Sequence, residues 1–371
     1  MPAPLPDRAD LVIVGAGFAG AATAWALSRG RPCAGVILEQ EETFGFHASG
    51  RNAAILKLVE SDPVVRTLAT RSAARIRALD QPGQPLLGIG GGLTLASAAG
   101  AHELEAQMES SRDSGLPTEL LSAPEACSRF PLLEEVSFDA ALWCSAEAVV
   151  DIHALLTLYL QQARDGGLAL HTRTAVRELV IEGGRVAGVE TSRGRIRTSL
   201  VVDASGAWAG GWSRPLPLRA LRRHLFVFGA PAGGHRRSPF AWVEDAAFYF
   251  RPEGDGLLFS PCDETAMPPG EPPTDPAAAE LLAEKLARHA PSFTELPLRR
   301  SWACLRTFAP DRRPVIGRDP HVDGLVHVSG LGGFGMGASA AIGELAAALI
   351  TGERVDWIDL ALVSPERFGA M

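Results

Sequence analysis

Three glycines near the start of the chain have a spacing that suits a bound phosphate group. Gly15, Gly17 and Gly20 directly follow an apolar run. The first glycine permits a tight turn, the second lets the backbone approach a pyrophosphate, and the third lets a helix pack closely on a strand. Glu39, which ends the next apolar run, can accept hydrogen bonds from ribose hydroxyls. The spacing predicts a dinucleotide site and leaves both NAD and FAD open.

A strand, a helix and a second strand must position these glycines. The buried apolar run Leu11 to Val14 predicts a parallel strand, Ala19 to Ser28 predicts a helix, and Val36 to Leu38 predicts the next strand. A glycine turn alone is weak support for a nucleotide site, but here strand, turn, helix, strand and acid occur in order. We expect the phosphates to lie at the helix N-terminus.

Two further stretches of small residues precede predicted helices. The stretch from Phe44 to Ile55 is expected to open a helix with Ser49 as its N-cap, where free amides bind an anion. Near the other end of the chain, a glycine-rich loop from Ser329 to Gly337 leads into an alanine-rich helix, predicted over Ala338 to Leu349. The N-terminus of that helix favours negative charge.

The composition indicates a globular protein with a large core. The 371 residues are 46% hydrophobic and 21% charged, and no apolar run is long enough to span a bilayer. A prior of about 150 residues per domain favours two domains. The net charge of −8 argues against a nucleic acid partner.

The cysteines indicate a reducing compartment. They are odd in number, scattered and without metal-type spacing: Cys33, Cys127, Cys144, Cys262 and Cys304. We therefore expect free thiols, no metal site and a cytoplasmic protein. The first six residues lack the apolar core of a signal peptide, which agrees with that expectation.

Together, the glycine turn, the stretch from Phe44 to Ile55 and the glycine loop near the C-terminus resemble the family of FAD-dependent D-amino-acid and amine oxidases. Within it the chain is most similar to the D-arginine dehydrogenases and also resembles glycine and sarcosine oxidases. The resemblance implies an α/β fold, with a Rossmann-like FAD-binding domain and a smaller substrate domain built on a mainly antiparallel sheet. The implied FAD-binding domain is discontinuous, over 1–80, 145–214 and 305–371, and the substrate domain covers 81–144 and 215–304.

The family resemblance also assigns cofactor contacts. It places the second small-residue stretch along the pyrophosphate and flavin, Gly206 and Ala207 near the adenine end, and the loop near the C-terminus at the pyrimidine edge of the flavin. The implied FAD contacts are Gly15, Gly17, Gly20, Glu39, Ser49, Arg51, Asn52, Val176, Gly206, Gly332, Gly333, Gly335 and Met336.

Substrate contacts follow from the same resemblance. The positions of Arg306 and Tyr249 hold the substrate carboxylate in the family, and Arg223 lies in the same cavity. A planar guanidinium binds a carboxylate through two hydrogen bonds, and a phenol adds a third donor. The side chain of the substrate stays open, because Gly92 replaces the acid that binds a basic group in the similar enzymes. Glu60 or Glu244 is an alternative source of that acid, but we interpret both as exposed carboxylates.

Cys304 falls at the position where sarcosine oxidases bond covalently to the flavin. We expect a buried, inert thiol and non-covalent FAD, with the covalent link as the alternative.

The expected reaction is the dehydrogenation of an α-amino acid, of D configuration, to an imino acid that water converts to a 2-oxo acid and ammonia. Catalysis then consists mainly of positioning, with the flavin as hydride acceptor. The alternatives are a sarcosine or glycine oxidase, a non-catalytic flavoprotein subunit, and a 2-hydroxy-acid dehydrogenase with His47 or His224 as base. Oxygen or a quinone as electron acceptor, and a homo-oligomer, both stay open.

Overall fold

The computed structural model describes residues 4–30, 34–80, 83, 85–212, 215–229 and 238–369. Cys33 lies outside these residues, so its free thiol stays a prediction. The other cysteines are unpaired in the structure.

The described part of the chain forms seven α-helices. They are α1 (Phe18–Ser28), α2 (Pro63–Leu79), α3 (Ala101–Asp113), α4 (Ala123–Arg129), α5 (Ile152–Asp165), α6 (Pro276–His289) and α7 (Ser339–Thr351). Among these helices, none combines the length and the apolar character required to cross a bilayer.

The strands alternate with these helices in the first part of the chain and follow one another in the middle. They are β1 (Leu11–Val14), β2 (Gly35–Leu38), β3 (Ile55–Leu56), β4 (Leu87–Ala96), β5 (Thr118–Ser122), β6 (Ala140–Val150), β7 (Ala169–His171), β8 (Val176–Glu182), β9 (Arg185–Thr191), β10 (Gly194–Arg197), β11 (Val201–Asp203), β12 (Arg219–Gly229), β13 (Phe240–Val243), β14 (Phe248–Glu253), β15 (Gly256–Ser260), β16 (Thr265–Ala266), β17 (Leu298–Phe308), β18 (Val315–Arg318) and β19 (Leu325–Ser329).

The glycine turn belongs to a sheet of parallel strands. Its order across the described residues is β18-β19-β11-β1-β2-β7, and only β18 runs antiparallel to its neighbour. Every residue of β1 and β2 is buried, as expected for strands covered on both faces. Helices α1, α5 and α7 contribute to the core on this sheet. The carboxyl ends of β1 and β11 therefore lie side by side, next to the N-terminus of α1.

The second large sheet is mainly antiparallel. Its order in the described chain is β16-β12-β15-β14-β13-β4-β6-β3, with β17 paired to β12 and β5 paired to β6. Only the pair of β13 and β4 is parallel. Helices α4 and α6 cover the apolar face of this sheet. A small sheet of β8, β9 and β10 completes the fold, and its hairpin turns at Gly183 and Gly184, both with positive φ. The predicted fold class is confirmed.

One predicted helix is wrong. Between Phe44 and Ile55 the chain forms turns and then enters β3. Gly45 and Ala54 have positive φ, which breaks a right-handed helix. Ser49 is a cap, but of α1: its Oγ accepts a hydrogen bond from the backbone N–H of Phe18 at 2.9 Å. The small-residue stretch is thus hydrogen-bonded to the N-terminus of α1 and does not form a helix of its own.

Helices α1 and α7 pack with almost no space between their backbones. A Cβ built on Gly343 would lie 2.2 Å from the carbonyl oxygen of Ala22. Only glycine permits this approach, so the position of α7 on α1 depends on it.

The change Gly343→Ala should therefore push the two helices apart. We expect the free energy of unfolding to fall by about 1–3 kcal/mol through overpacking, measured by urea denaturation. Gly90→Ala is the matched control, because a Cβ there meets nothing within 4 Å. Equal stabilities of the two variants would contradict the role of the helix contact.

Candidate active site

A single large cavity joins the two main sheets. Its volume is about 1130 Å³, and its wall extends from the turn after β1, with Gly15, to Arg306 on β17 and Tyr249 on β14. A cavity that runs from a dinucleotide-type turn to a half-buried guanidinium can hold a long cofactor at one end and a small anion at the other.

The glycine turn has the geometry that the sequence predicts. Gly15 has φ +98°, and a Cβ on it would lie 2.5 Å from the carbonyl oxygen of Ala204. A Cβ on Gly17 would lie 2.7 Å from Oγ of Ser49, and one on Gly20 would lie 1.9 Å from the carbonyl oxygen of Gly15. These contacts leave the first two glycines on the cavity wall and place the third between the helix and the turn.

Glu39 is held at the edge of the cavity by backbone groups. It is buried, and its carboxylate accepts hydrogen bonds from the N–H groups of Ala16 at 3.0 Å and Glu41 at 3.1 Å. Those bonds fix the side chain beside the glycine turn, where it can face a ribose.

The structure brings the sequence-predicted site residues together. Gly20 is the exception, since it packs behind the wall; the others line the cavity: Gly15, Gly17, Glu39, Ser49, Arg51, Asn52, Val176, Gly206, Arg223, Tyr249, Gly332, Gly333, Arg306, Gly335 and Met336. The cradle of glycines and the continuous cavity fit FAD. The individual roles of these residues toward cofactor and substrate stay predictions.

A buried charged network supports the cavity wall beside Gly206. Asp203 accepts hydrogen bonds from the N–H of Ser205 and of Gly210, so it closes the turn that contains Gly206. His327 lies behind it, with Nδ1 3.6 Å from Asp203 and Nε2 2.9 Å from Asp319. Burial alone would lower the pKa of His327, but the two carboxylates outweigh burial and raise the pKa to about 9. The network thus carries a buried imidazolium at neutral pH.

The substrate end contains a cation without a counter-ion. Nη2 of Arg306 is 3.2 Å from the hydroxyl oxygen of Tyr249, which is 1% exposed. No carboxylate of the described residues lies within ion-pair distance of this guanidinium. The ring of Trp242 stacks on Tyr249 with centroids 5.0 Å apart and fixes the phenol. A Cβ on Gly333 would lie 3.1 Å from Nη1, so the loop before α7 packs directly on the guanidinium.

Arg223 lines the same cavity but already has partners. Its Nε donates to the carbonyl oxygen of Asp263 at 2.7 Å, and its Nη2 donates to Glu264 at 3.0 Å. Glu264 also makes a bidentate pair with Arg312, at 2.9 and 2.6 Å. The sequence analysis missed Glu264, whose only signal was its place in an acidic loop.

The cavity wall beyond Trp242 carries charges that the sequence analysis interpreted wrongly. Glu60 and Glu244 are half-buried and line the cavity, so the expectation of exposed carboxylates is wrong. Lys57 lies 3.8 Å from Glu60, over the ring of Trp242, and donates to the carbonyl oxygen of Val59. Burial raises the pKa of Glu60, and Lys57 opposes that shift.

The two histidines considered as bases lie away from the substrate end or are fully bonded. His47 lines the cavity but bonds Glu41 at 2.8 Å and packs on Trp208. His224 is buried; its Nε2 accepts from the N–H of Asp275, so its ring proton is on Nδ1 and goes to Asp263. Of the two, His47 lines the described cavity and His224 does not.

Cys304 is 2% exposed beside Arg306. Burial raises the pKa of its thiol, and Arg306 opposes that shift. The geometry agrees with a buried thiol and leaves the mode of flavin attachment a prediction.

The buried imidazolium should make stability depend on pH. Because the folded pKa of His327, about 9, exceeds the ordinary value of 6.5, its contribution is complete below pH 6.5 and is lost as pH rises through 9. We expect the difference in free energy of unfolding between wild type and His327→Asn to shrink by about 3 kcal/mol at most over that interval, measured by urea denaturation. A difference that does not change with pH would contradict the charged state.

The comparisons with known proteins agree with this site. A family profile described as FAD dependent oxidoreductase, DAO, matches residues 10–349. Over 99% of its length the chain is 26% identical to a mitochondrial pyruvate dehydrogenase phosphatase regulatory subunit of Mus musculus, of which it spans 44%. Over 53% of its length it is 33% identical to a glycine oxidase of Pseudomonas aeruginosa, of which it spans 54%.

Among solved structures, an L-proline dehydrogenase from P. horikoshii has the same fold. Its TM-score is 0.89 at 22% identity, with 98% of both chains covered. The family match covers most of the chain and includes the glycine turn, Arg306 and the loop before α7. The chain therefore belongs to the DAO family of FAD-dependent oxidoreductases, as its resemblance implied, and FAD is its cofactor.

Proposed function

We propose that this protein oxidises the bond between Cα and nitrogen of an α-amino acid, and that the amino acid has the D configuration. The product is an imino acid, which water converts to a 2-oxo acid and ammonia. One observation carries the proposal: Arg306 is a cavity cation that bonds the neutral Tyr249, and no carboxylate of the described chain lies within ion-pair distance of it. The charge of such a cation is neutralised when a substrate carboxylate binds to it.

The geometry of the clamp favours a carboxylate over other anions. Arg306 can donate two parallel hydrogen bonds from its planar guanidinium, and the hydroxyl of Tyr249 is in place as a third donor. Stacking on Trp242 holds the phenol, so little entropy is lost when the substrate is bound. The clamp thus orients Cα of an amino acid in one way.

FAD, when bound, supplies the acceptor for the two electrons of the reaction. The residues of this chain contribute orientation: Arg306 and Tyr249 fix the carboxylate, and the packed wall around them excludes water. The amine must be neutral before it is oxidised, and solvent can take its proton before binding. A 2-hydroxy-acid dehydrogenase would need a base for the hydroxyl proton, and His47, bonded to Glu41, is the histidine of the described cavity that could serve as that base.

Several parts of the proposal rest on the family resemblance alone. The D configuration comes from the similarity to D-amino-acid enzymes, whereas the relative and the solved structure described above are named for glycine and for L-proline. A cytoplasmic location and oxygen or a quinone as electron acceptor belong to the same part of the proposal.

Anaerobic titration of the purified, FAD-loaded protein is the decisive experiment. The visible flavin absorbance is followed while D- and L-amino acids, N-methyl amino acids and 2-hydroxy acids are added in turn. Bleaching by D-amino acids supports the whole proposal, and bleaching by L-amino acids alone overturns the configuration. Bleaching by hydroxy acids only, or by none of these compounds, overturns the proposed reaction.

Variants of the clamp should weaken substrate binding in a defined order. We expect Arg306→Ala to lower kcat/KM by about 100-fold to 1000-fold, since the carboxylate loses its charged partner. Tyr249→Phe removes one hydrogen bond and should cost about tenfold. Steady-state kinetics with the substrate found above measure both effects. Arg129→Ala, which breaks an exposed pair with Glu119, is the control, and an Arg306→Ala enzyme that matches it would refute the clamp.

A further inference from the structure

We propose that the cavity admits one carboxylate only, and that Glu264 is the specificity-determining residue that sets this limit. The substrates are then amino acids with a neutral or cationic side chain, while acidic amino acids and dicarboxylates are rejected. This inference rests on the proposed function and names the substrate class of the same site.

Two arginines face the substrate end from neighbouring strands. In the antiparallel pairing of β12 and β17, Arg223 lies opposite Cys304, and Leu221 lies opposite Arg306. Paired residues on neighbouring strands lie on the same face of a sheet, and so do residues two positions apart on one strand. Arg306 is two positions from Cys304, the partner of Arg223, so the two arginines are diagonal neighbours on one face. Both line the cavity. By themselves, the two guanidinium groups would form a site for a doubly charged anion.

Glu264 removes one of these two positive charges. Its carboxylate accepts from Arg223 at 3.0 Å and forms the bidentate pair with Arg312. The side chain of Arg223 is 6% exposed, so its charge is compensated within the protein and not by solvent. Glu264 itself lines the cavity and holds the guanidinium that a second substrate carboxylate would need. Arg312, the other partner of Glu264, also lines the cavity, but its side chain is 55% exposed and solvent screens its charge. Arg306 is thus left as the cavity cation without a carboxylate partner in the described chain.

The opposite end of the substrate region has an excess of acids. Glu60 and Glu244 line the cavity there, and Glu147 is buried behind them with its Oε1 bound to two backbone N–H groups. Lys57 is the cation among them, and it is engaged by the carbonyl oxygen of Val59 and by Glu60. An anionic side chain that extends past Trp242 would therefore meet like charges, which disfavour its binding.

Two pairs of compounds that differ by one carboxylate test the limit. The first pair is butanoate and succinate, whose binding to the FAD-loaded protein is measured by calorimetry. The second is norvaline and glutamate, in both configurations, whose anaerobic reduction of the flavin is measured by stopped flow. We expect the wild type to bind butanoate at least tenfold more tightly than succinate, and to be reduced by norvaline but not by glutamate. Equal or tighter binding of succinate by the wild type overturns the proposal without any variant.

The variant E264Q keeps the size and one acceptor of the side chain but removes its charge. It should bind succinate about tenfold more tightly relative to butanoate than the wild type does, because Arg223 is then uncompensated. Glu119→Gln is the matched control, because it breaks a bidentate pair of similar geometry with Arg129 far from the cavity. An E264Q protein with an unchanged ratio of the two affinities overturns the role of Glu264.

The binding measurement separates the two levels of inference. If no amino acid reduces the flavin, the proposed reaction fails, yet the preference for butanoate over succinate still tests the limit of one carboxylate. If norvaline and glutamate reduce the flavin equally well, the proposed reaction holds and the limit fails. A purely structural effect of E264Q would weaken both ligands together and leave their ratio unchanged.

Discussion

The close backbone contact between α1 and the turn before it is the constraint on which the rest of the structure depends. No side chain fits at Gly20, and the same helix is in backbone contact with α7 at Gly343. Through these contacts the two helices and the parallel sheet pack in one core. The turn after β1 and the loop before α7 therefore line the same cavity. The cofactor cradle and the glycine loop beside Arg306 are therefore held by packing of backbone on backbone.

Charge organises this cavity. The nucleotide end carries Glu39 and, behind the wall, the imidazolium of His327 between two carboxylates. The substrate end carries Arg306, with Arg223 compensated by Glu264. Arg306 bonds the neutral Tyr249, and no carboxylate of the described chain lies within ion-pair distance of it, although a charge withdrawn from water is costly without compensation. That imbalance is what a carboxylate relieves, so the chemistry of the substrate follows from a single residue.

Local patterns were sufficient to predict the elements and the cradle. Strand β1, helix α1 and the glycines between them follow from apolar runs and from the backbone geometry that glycine alone allows. The helix expected after Phe44 was wrong because the hydroxyl of Ser49 binds the N-terminus of another helix, 31 residues away in sequence. No local pattern records such a contact.

The charged residues of the cavity wall were harder to predict for the same reason, because their contacts join residues that are distant in the sequence. Glu244 reaches the cavity through the pairing of β13 with β4, and Arg223 meets Glu264 across 41 residues. Contacts between residues so far apart in the sequence depend on the whole sheet. In the sequence alone, Glu244 and Glu264 therefore look like surface residues. Tyr249 and Arg306, by contrast, were found by resemblance to a family, and their hydrogen bond is a fact of the structure.

The imidazole of His224 has a consequence for how this fold can diversify. One ring nitrogen is bound to Asp263 and the other to the backbone of Asp275, so the segment between them begins and ends on a single side chain. A loop whose ends are fixed together can change in length and sequence at a small entropic cost, because loop closure depends weakly on length. Gly270 and Pro272 of this segment line the cavity. Insertions near Gly270 and Pro272 would reshape this part of the cavity wall while strand β12 keeps its pairing with β17.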